Sequence, residues 1–187
     1  MRKVVLYTLL SADGVAESPD RFFLAFDEVM DANLGRVIGS QDTVLLGRRT
    51  YDEWATYWPT SEIQPFADFI NAVRKVVFTS TPPAVGWANA SVADGGVDEV
   101  VRDLKAQPGG DIGVHGSIAL AQSLLAAGLV DELRLVVAPV LAGAGRRLFQ
   151  EGDLRHLALR QVQGTPSGGL IVDYAVLAPD ASGNDAT

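Results

Sequence analysis

The apolar residues of this chain change their spacing repeatedly, and the changes mark an alternation of strands and helices. Residues 4–10 form an unbroken apolar run, as in a strand covered on both faces, and Ser11-Ala12-Asp13-Gly14 ends it. Between 21 and 38 the positions Phe22, Phe26, Val29, Met30 and Val37 fall near helical spacing, and Asp20 after Pro19 is the N-cap this predicts. Residues 43–47 read as a second buried strand, with a helix beginning near Arg49. Residues 75–80 read as a third strand, stopped by Pro82-Pro83, and residues 90–92 as a weaker fourth. A helix over 97–106 places Val97, Val100, Val101 and Leu104 on one face. Residues 111–114 give a fifth strand, and 117–127 a helix closed by Gly128.

The last third reads differently. Residues 132–140 form a strand, and 157–162 and 170–177 flank a turn-rich stretch from Gly164 to Gly169, the signature of a hairpin. This predicts an α/β fold: an open, mostly parallel sheet with helices on both faces and an antiparallel C-terminal hairpin. A single domain is expected over 1–179, with a small, polar, disordered tail over 180–187. In such sheets ligands sit beyond the carboxyl ends of the strands, so the residues just after each strand are the place to look for chemistry.

Composition narrows the classes. A length of 187 residues suits one domain with a sizeable core. The net charge of −8 argues against a nucleic-acid groove or an anionic membrane surface as partner. No apolar run is long enough to span a bilayer. With no cysteine, thiolate catalysis, disulfides and cysteine-ligated zinc are excluded, and a reducing cytoplasm is the expected location. His115 and His156 lie too far apart for metal-ligand spacing, and no metal is expected. Arg2-Lys3 before the first apolar run resembles a signal-peptide start, but the run is short and a turn follows at once, which favours a strand.

Three segments at predicted strand ends carry candidate chemistry. Gly47-Arg48-Arg49-Thr50 opens a helix, where free amides and two guanidinium forks suit a phosphate. The same residues fit an ordinary turn with surface arginines. His115-Gly116-Ser117-Ile118-Ala119 repeats the arrangement: Gly116 admits close backbone approach and Ser117 can cap a helix, a pattern that also fits a plain helix start. His115 reads as a satisfied strand-end residue. Thr79-Ser80-Thr81 offers hydroxyls suited to a ribose or its phosphate, or to a turn before the prolines. Together, all three lie where one dinucleotide could bridge them, although the Gly-x-Gly-x-x-Gly loop is missing. Tyr51, Trp54, Tyr57 and Trp58 follow; Tyr51, Trp54 and Trp58 could stack on a substrate ring, or fill core.

These pieces, in their order, resemble the dihydrofolate-reductase-like superfamily, and more closely the reductase domain of riboflavin biosynthesis and its stand-alone bacterial relatives. The resemblance rests on Asp13-Gly14, on Leu46-Gly47-Arg48-Arg49-Thr50-Tyr51, and on His115-Gly116-Ser117 with Leu120. It continues through Leu124-Leu125, Gly128-Leu129-Val130-Asp131-Glu132-Leu133, and residues 139–145 ending at Leu148-Phe149. It implies an eight-stranded sheet, NADPH as hydride donor and a homodimer. It also implies that Gly47, Arg48, Arg49 and Thr50 meet cofactor phosphates. Thr79 and Ser80 would lie by the adenosine ribose, Gly116, Ser117, Ile118 and Ala119 by the pyrophosphate, and Asp13 and Gly14 near the nicotinamide. Two departures stand out. The zinc deaminase domain of the full riboflavin enzyme has no counterpart here, and His115-Gly116 stands where the family often has Gly-Gly.

The activity implied is hydride transfer to an imine or carbonyl of a small polar substrate, pyrimidine- or pteridine-like, with the protein supplying orientation and electrostatics. A proton must follow, from water or from a carboxylic acid raised by burial. Asp27 and Asp31, one helical turn apart, are the candidates, with Glu28 a third; each also fits a solvated helix flank. Two alternatives stay open: an NADP-binding sensor or interaction module without turnover, and a true dihydrofolate reductase.

Overall fold

A computed structural model describes residues 1–23, 26–152 and 154–178. Eight strands form one sheet: β1 (Val4–Ser11), β2 (Gln41–Gly47), β3 (Arg74–Phe78), β4 (Ala90–Val92), β5 (Asp111–His115), β6 (Glu132–Ala138), β7 (Leu157–Gly164) and β8 (Leu170–Val176), in the order β4-β3-β2-β5-β1-β6-β8-β7. The strands from β4 to β6 run parallel, while β8 is antiparallel to both β6 and β7. This is the mostly parallel sheet with a C-terminal hairpin that the sequence predicts. The predicted tail over 180–187 lies outside the described residues.

Alternation along each strand divides the core into two layers. Val4 and Leu6 on β1, Leu45 on β2, and Ile112 and Val114 on β5 pack on one side, with α4 (Val97–Ala106) and α5 (Ile118–Ala126). Val5, Tyr7, Val44 and Leu46 pack on the other, with α1 (Glu28–Ile38), α2 (Arg48–Tyr57) and α3 (Phe66–Ala72). Helices therefore cover both faces, as expected.

Two helices differ from expectation. α1 begins at Glu28, not near Arg21, because Asp27 is the N-cap: its Oδ1 accepts from the amides of Val29 and Met30. Asp20 lies instead in a single 3₁₀ turn over Pro19–Arg21. α3, absent from the sequence reading, is held from outside itself. The buried Lys75 of β3 donates to the carbonyls of Ile70 and Val73 at its C-terminal end, at 2.7 and 2.8 Å.

Candidate active site

Three adjacent parallel strands deliver the predicted corners to one edge. β3, β2 and β5 are neighbours, and the register places Gly47 beside Phe78 and Leu45 beside Val114. The residues after each strand therefore leave the sheet side by side. Direct bonds tie them together. The amide of Gly47 donates to Oγ of Ser117 at 3.0 Å, and Nη1 of Arg48 donates to Oγ1 of Thr79 at 3.4 Å and to the carbonyl and hydroxyl oxygens of Thr81, each at 2.8 Å. Thr81, one of the three hydroxyls that the sequence offers to a ribose or to a turn, is thus the main anchor for Arg48.

The helix starts at these corners lack side-chain caps. α2 begins after Gly47, which has no side chain to offer. At α5 the expected cap is missing, because Ser117 turns its hydroxyl to Gly47 and leaves its own helix uncapped. Two uncapped helix N-termini thus stand next to each other, a setting that favours an anion through free amides and helix dipoles. Gly116 and Ala119 are exposed between them. Gly116 has φ +71°, and a Cβ there would come 3.1 Å from Cζ2 of Trp54 and 3.8 Å from Cγ2 of Thr50. Only glycine keeps this approach open.

Of the two arginines, Arg48 is braced by Asp52 at 2.6 Å. Arg49 is 68 % exposed, leans on Glu53 at 3.1 Å and lies 3.8 Å from Glu17. Glu17 also binds Arg146 at 2.7 Å, so the segments after β1 and β6 reach the same rim. Asp13 makes a second link. Its carboxylate accepts from Oγ of Ser11 and from the amides of Ala142 and Gly143, at 2.6, 2.9 and 2.9 Å. The Ser11 hydrogen bond first, then those amides, lower its pKa to about 2. Gly14 follows at φ +83°.

The proton-donor candidates sit elsewhere. Asp27 binds the start of α1 through Oδ1, while Oδ2 accepts from the amide and hydroxyl of Ser167 in the β7–β8 turn, at 3.1 and 2.7 Å. Desolvation pushes its carboxyl up, but the hydrogen bonds from Ser167 and Met30 outweigh it and hold the group well below the usual range. This is a correction to the burial-raised acid expected from sequence: Asp27 is a structural carboxylate, ionised at neutral pH. Asp31 and Glu28 are exposed on α1.

The aromatic residues divide. Tyr51 is buried, its ring 6.0 Å from that of Trp87 and its hydroxyl donating to the carbonyl of Val85 at 2.8 Å, so it belongs to the core and not to a stacking surface. Trp54 and Trp58 are half-buried and pack edge-on against Phe66. Phe66 in turn packs 5.4 Å from His115. His115 is 3 % exposed, ringed by Tyr7, Phe66 and Phe69, with Nε2 2.8 Å from Oε1 of Gln41. Burial lowers its pKa to about 3, which keeps it neutral. Gln41 and Phe66 escaped the sequence reading because each acts through a partner distant in the chain.

Residues 2–171 match the model of the RibD C-terminal domain. The chain belongs to the RibD C-terminal domain family. Within curated proteins it is 31% identical over 159 residues to the uncharacterized protein YyaP of Bacillus subtilis, covering 79% of this chain and 80% of that one. It is 29% identical over 153 residues to YwjB of the same organism, covering 80% and 84%. Solved structures share the fold. A pyrimidine reductase-like protein from Corynebacterium diphtheriae superposes with a TM-score of 0.69 at 15% identity, over 95% of this chain and 93% of that one. A deaminase/5-amino-6-(5-phosphoribosylamino)uracil reductase from Thermotoga maritima gives 0.67 at 15% identity, over 94% of this chain and 57% of that one. Dihydrofolate reductase from Enterococcus faecalis, complexed with NADP(H), gives 0.62 at 13% identity, over 93% and 96%. The dihydrofolate-reductase-like fold that the family shares with these enzymes is the one expected.

Proposed function

We propose that this family member is an NADPH-dependent reductase acting on an imine or carbonyl of a small polar, pyrimidine- or pteridine-like substrate. One observation carries the reading: two uncapped helix N-termini stand side by side at the ends of adjacent parallel strands, flanked by Arg48 and Arg49. The donor set fits a dinucleotide diphosphate. Gly47, Thr50, Gly116, Ser117, Ile118 and Ala119 would hold the diphosphate, Arg48, Arg49, Thr79 and Ser80 the adenosine phosphate, and the Asp13–Gly14 loop the far end. When bound, such a cofactor supplies a hydride.

The chain's own residues orient and exclude. Trp54 and Trp58 offer a half-buried aromatic wall for a flat ring. Asp27, held ionised and engaged by four donors, is unsuited to surrender a proton, so we assign protonation of the product to water.

Replacing both Arg48 and Arg49 with Ala is expected to weaken NADPH binding about tenfold or more, with a smaller effect on NADH, because the guanidinium forks serve the additional phosphate. Fluorescence titration with both cofactors checks this; equal losses would remove the assignment to the 2′-phosphate. Loss of NADPH absorbance with a pyrimidine substrate separates the reductase from a non-catalytic binder, and with dihydrofolate from a dihydrofolate reductase.

We also propose a homodimer that uses the open edge of β7. Leu159 and Val162 there are each 57% exposed, and Leu157 is also exposed. Light scattering should give a dimer mass for the native chain and a monomer mass for Leu159→Glu. A monomeric native chain at micromolar concentration ends this assignment.

A further inference from the structure

Glu17 sits where the segment after β1 is laced to the segment after β6. The amides of Ala16 and Glu17 donate to the carbonyl of Arg146 at 2.9 and 3.2 Å, and that of Leu148 to the carbonyl of Gly14 at 3.2 Å. Gly145 packs so closely that a Cβ there would come 2.7 Å from Cγ1 of Val15. The Glu17 carboxylate is fixed within this lacing. Its Oε1 accepts from Nε of Arg146 at 2.7 Å, and its Oε2 from the amide of Arg146 at 3.1 Å. Those two bonds hold its pKa below the ordinary glutamate value, so the group is ionised at neutral pH.

The same Oε1 lies 3.8 Å from Nη1 of Arg49, too far for a hydrogen bond. Among the described residues no other ion pair joins the laced segments to the start of α2. The corner assigned to phosphates therefore carries two guanidinium groups, Arg48 and Arg49, and three carboxylates, Asp52, Glu53 and Glu17. The carboxylates facing Arg49 differ in freedom. Glu53 is exposed on the same helix and can withdraw into solvent. Glu17 can move only by breaking two charge-assisted bonds. When an anion reaches Arg49, the long surface contact to Glu17 is the weak one and gives way. The bonds to Arg146 persist, so the carboxylate stays beside the new anion and repels it.

We propose that Glu17 is a specificity-determining residue of the cofactor site, a fixed carboxylate that competes with a cofactor phosphate for Arg49. The inference rests on the reading of this corner as a dinucleotide site. The penalty falls on the phosphate that Arg49 serves, so it narrows the preference for NADPH over NADH. It also favours release, which a hydride donor needs after each turnover.

Fluorescence titration of the full chain with NADPH and NADH tests this in the native protein, Glu17→Gln, Arg49→Gln and the double variant. Glutamine keeps an acceptor for the Arg146 amide. Glu17→Gln is expected to bind NADPH about threefold tighter than the native chain, with a smaller gain for NADH. The gain should shrink at high ionic strength. In the Arg49→Gln background the same change should bring no gain, because Glu17 acts through Arg49. Asp103→Asn, which removes an equal charge from the exposed face of α4, should leave affinity unchanged. A native chain that does not bind NADPH removes the dinucleotide reading and this inference with it. NADPH binding that Arg49→Gln weakens, but that Glu17→Gln leaves unchanged or also weakens, keeps that reading and overturns the role of Glu17. An equal gain in both backgrounds, or from Asp103→Asn, overturns it too, since overall charge and not competition for Arg49 would then set the affinity.

Discussion

Alanine at position 113 is expected to destabilise the fold by roughly 3–5 kcal/mol, the combined scale of overpacking and of a broken buried hydrogen bond. Gly113 lies in the middle of β5, between the buried Ile112 and Val114. A Cβ there would come 2.0 Å from Oε1 of Gln41 and 2.9 Å from Nε2 of His115. Both atoms belong to one buried hydrogen bond, so neither can yield without abandoning the other. The space over Gly113 is therefore occupied by a polar pair from two strands. Urea denaturation measures the loss. Adding Gln41→Ala to the Gly113→Ala chain should recover part of it, since the nearest obstacle is then gone. A Gly113→Ala chain within about 0.5 kcal/mol of the native one would show that Gln41 does not occupy that space.

The same pair sets the second large effect, a loss of stability in mild acid. His115 has its pKa lowered to about 3 by burial, against an ordinary value of 6.5. Between those values the unfolded chain binds a proton that the folded chain refuses, so stability falls as pH drops below 6.5 and levels off below about 3. By pH 4 the contribution is on the order of 3 kcal/mol, from the usual conversion of a pKa difference into free energy. Asp13 and Asp27 act in the same direction at lower pH, since both carboxyls are held below their unfolded values. Urea midpoints from pH 7 to pH 5.5 isolate the histidine, because that window lies above the ordinary aspartate and glutamate values of 3.8 and 4.5. His115→Gln should be less stable at pH 7 yet nearly flat across the window. Parallel slopes in the two chains would mean that some other group carries the acid sensitivity.

Most strands were legible because each buried run is contiguous and ends in glycine, proline or a polar turn, as at Ser11–Gly14 and Gly47. The corners were legible for the same reason: glycine followed by helix-forming residues marks a strand-to-helix turn wherever it occurs. What could not be read locally depends on distant partners. α3 is completed by Lys75 from the following strand, and Ser117 abandons its own helix for Gly47, 70 residues earlier. The start of α1 is a different kind of miss. Asp27 followed by Glu28, Val29 and Met30 is a readable capping pattern, but Phe22 and Phe26 extended the apparent periodicity beyond it.

The place of β1 in the sheet bears on how the chain is made. Its two neighbours are β5 and β6, so Val4 waits for Ile112 and Val5 for Glu132. During synthesis the first strand leaves the ribosome with both edges bare, and more than half of the polypeptide must follow before either is matched. Late pairing of this kind slows folding and prolongs the interval in which an apolar segment can find the wrong neighbour. Yield in a living cell should therefore respond to translation speed and to chaperone supply more sharply than the stability of the finished molecule suggests.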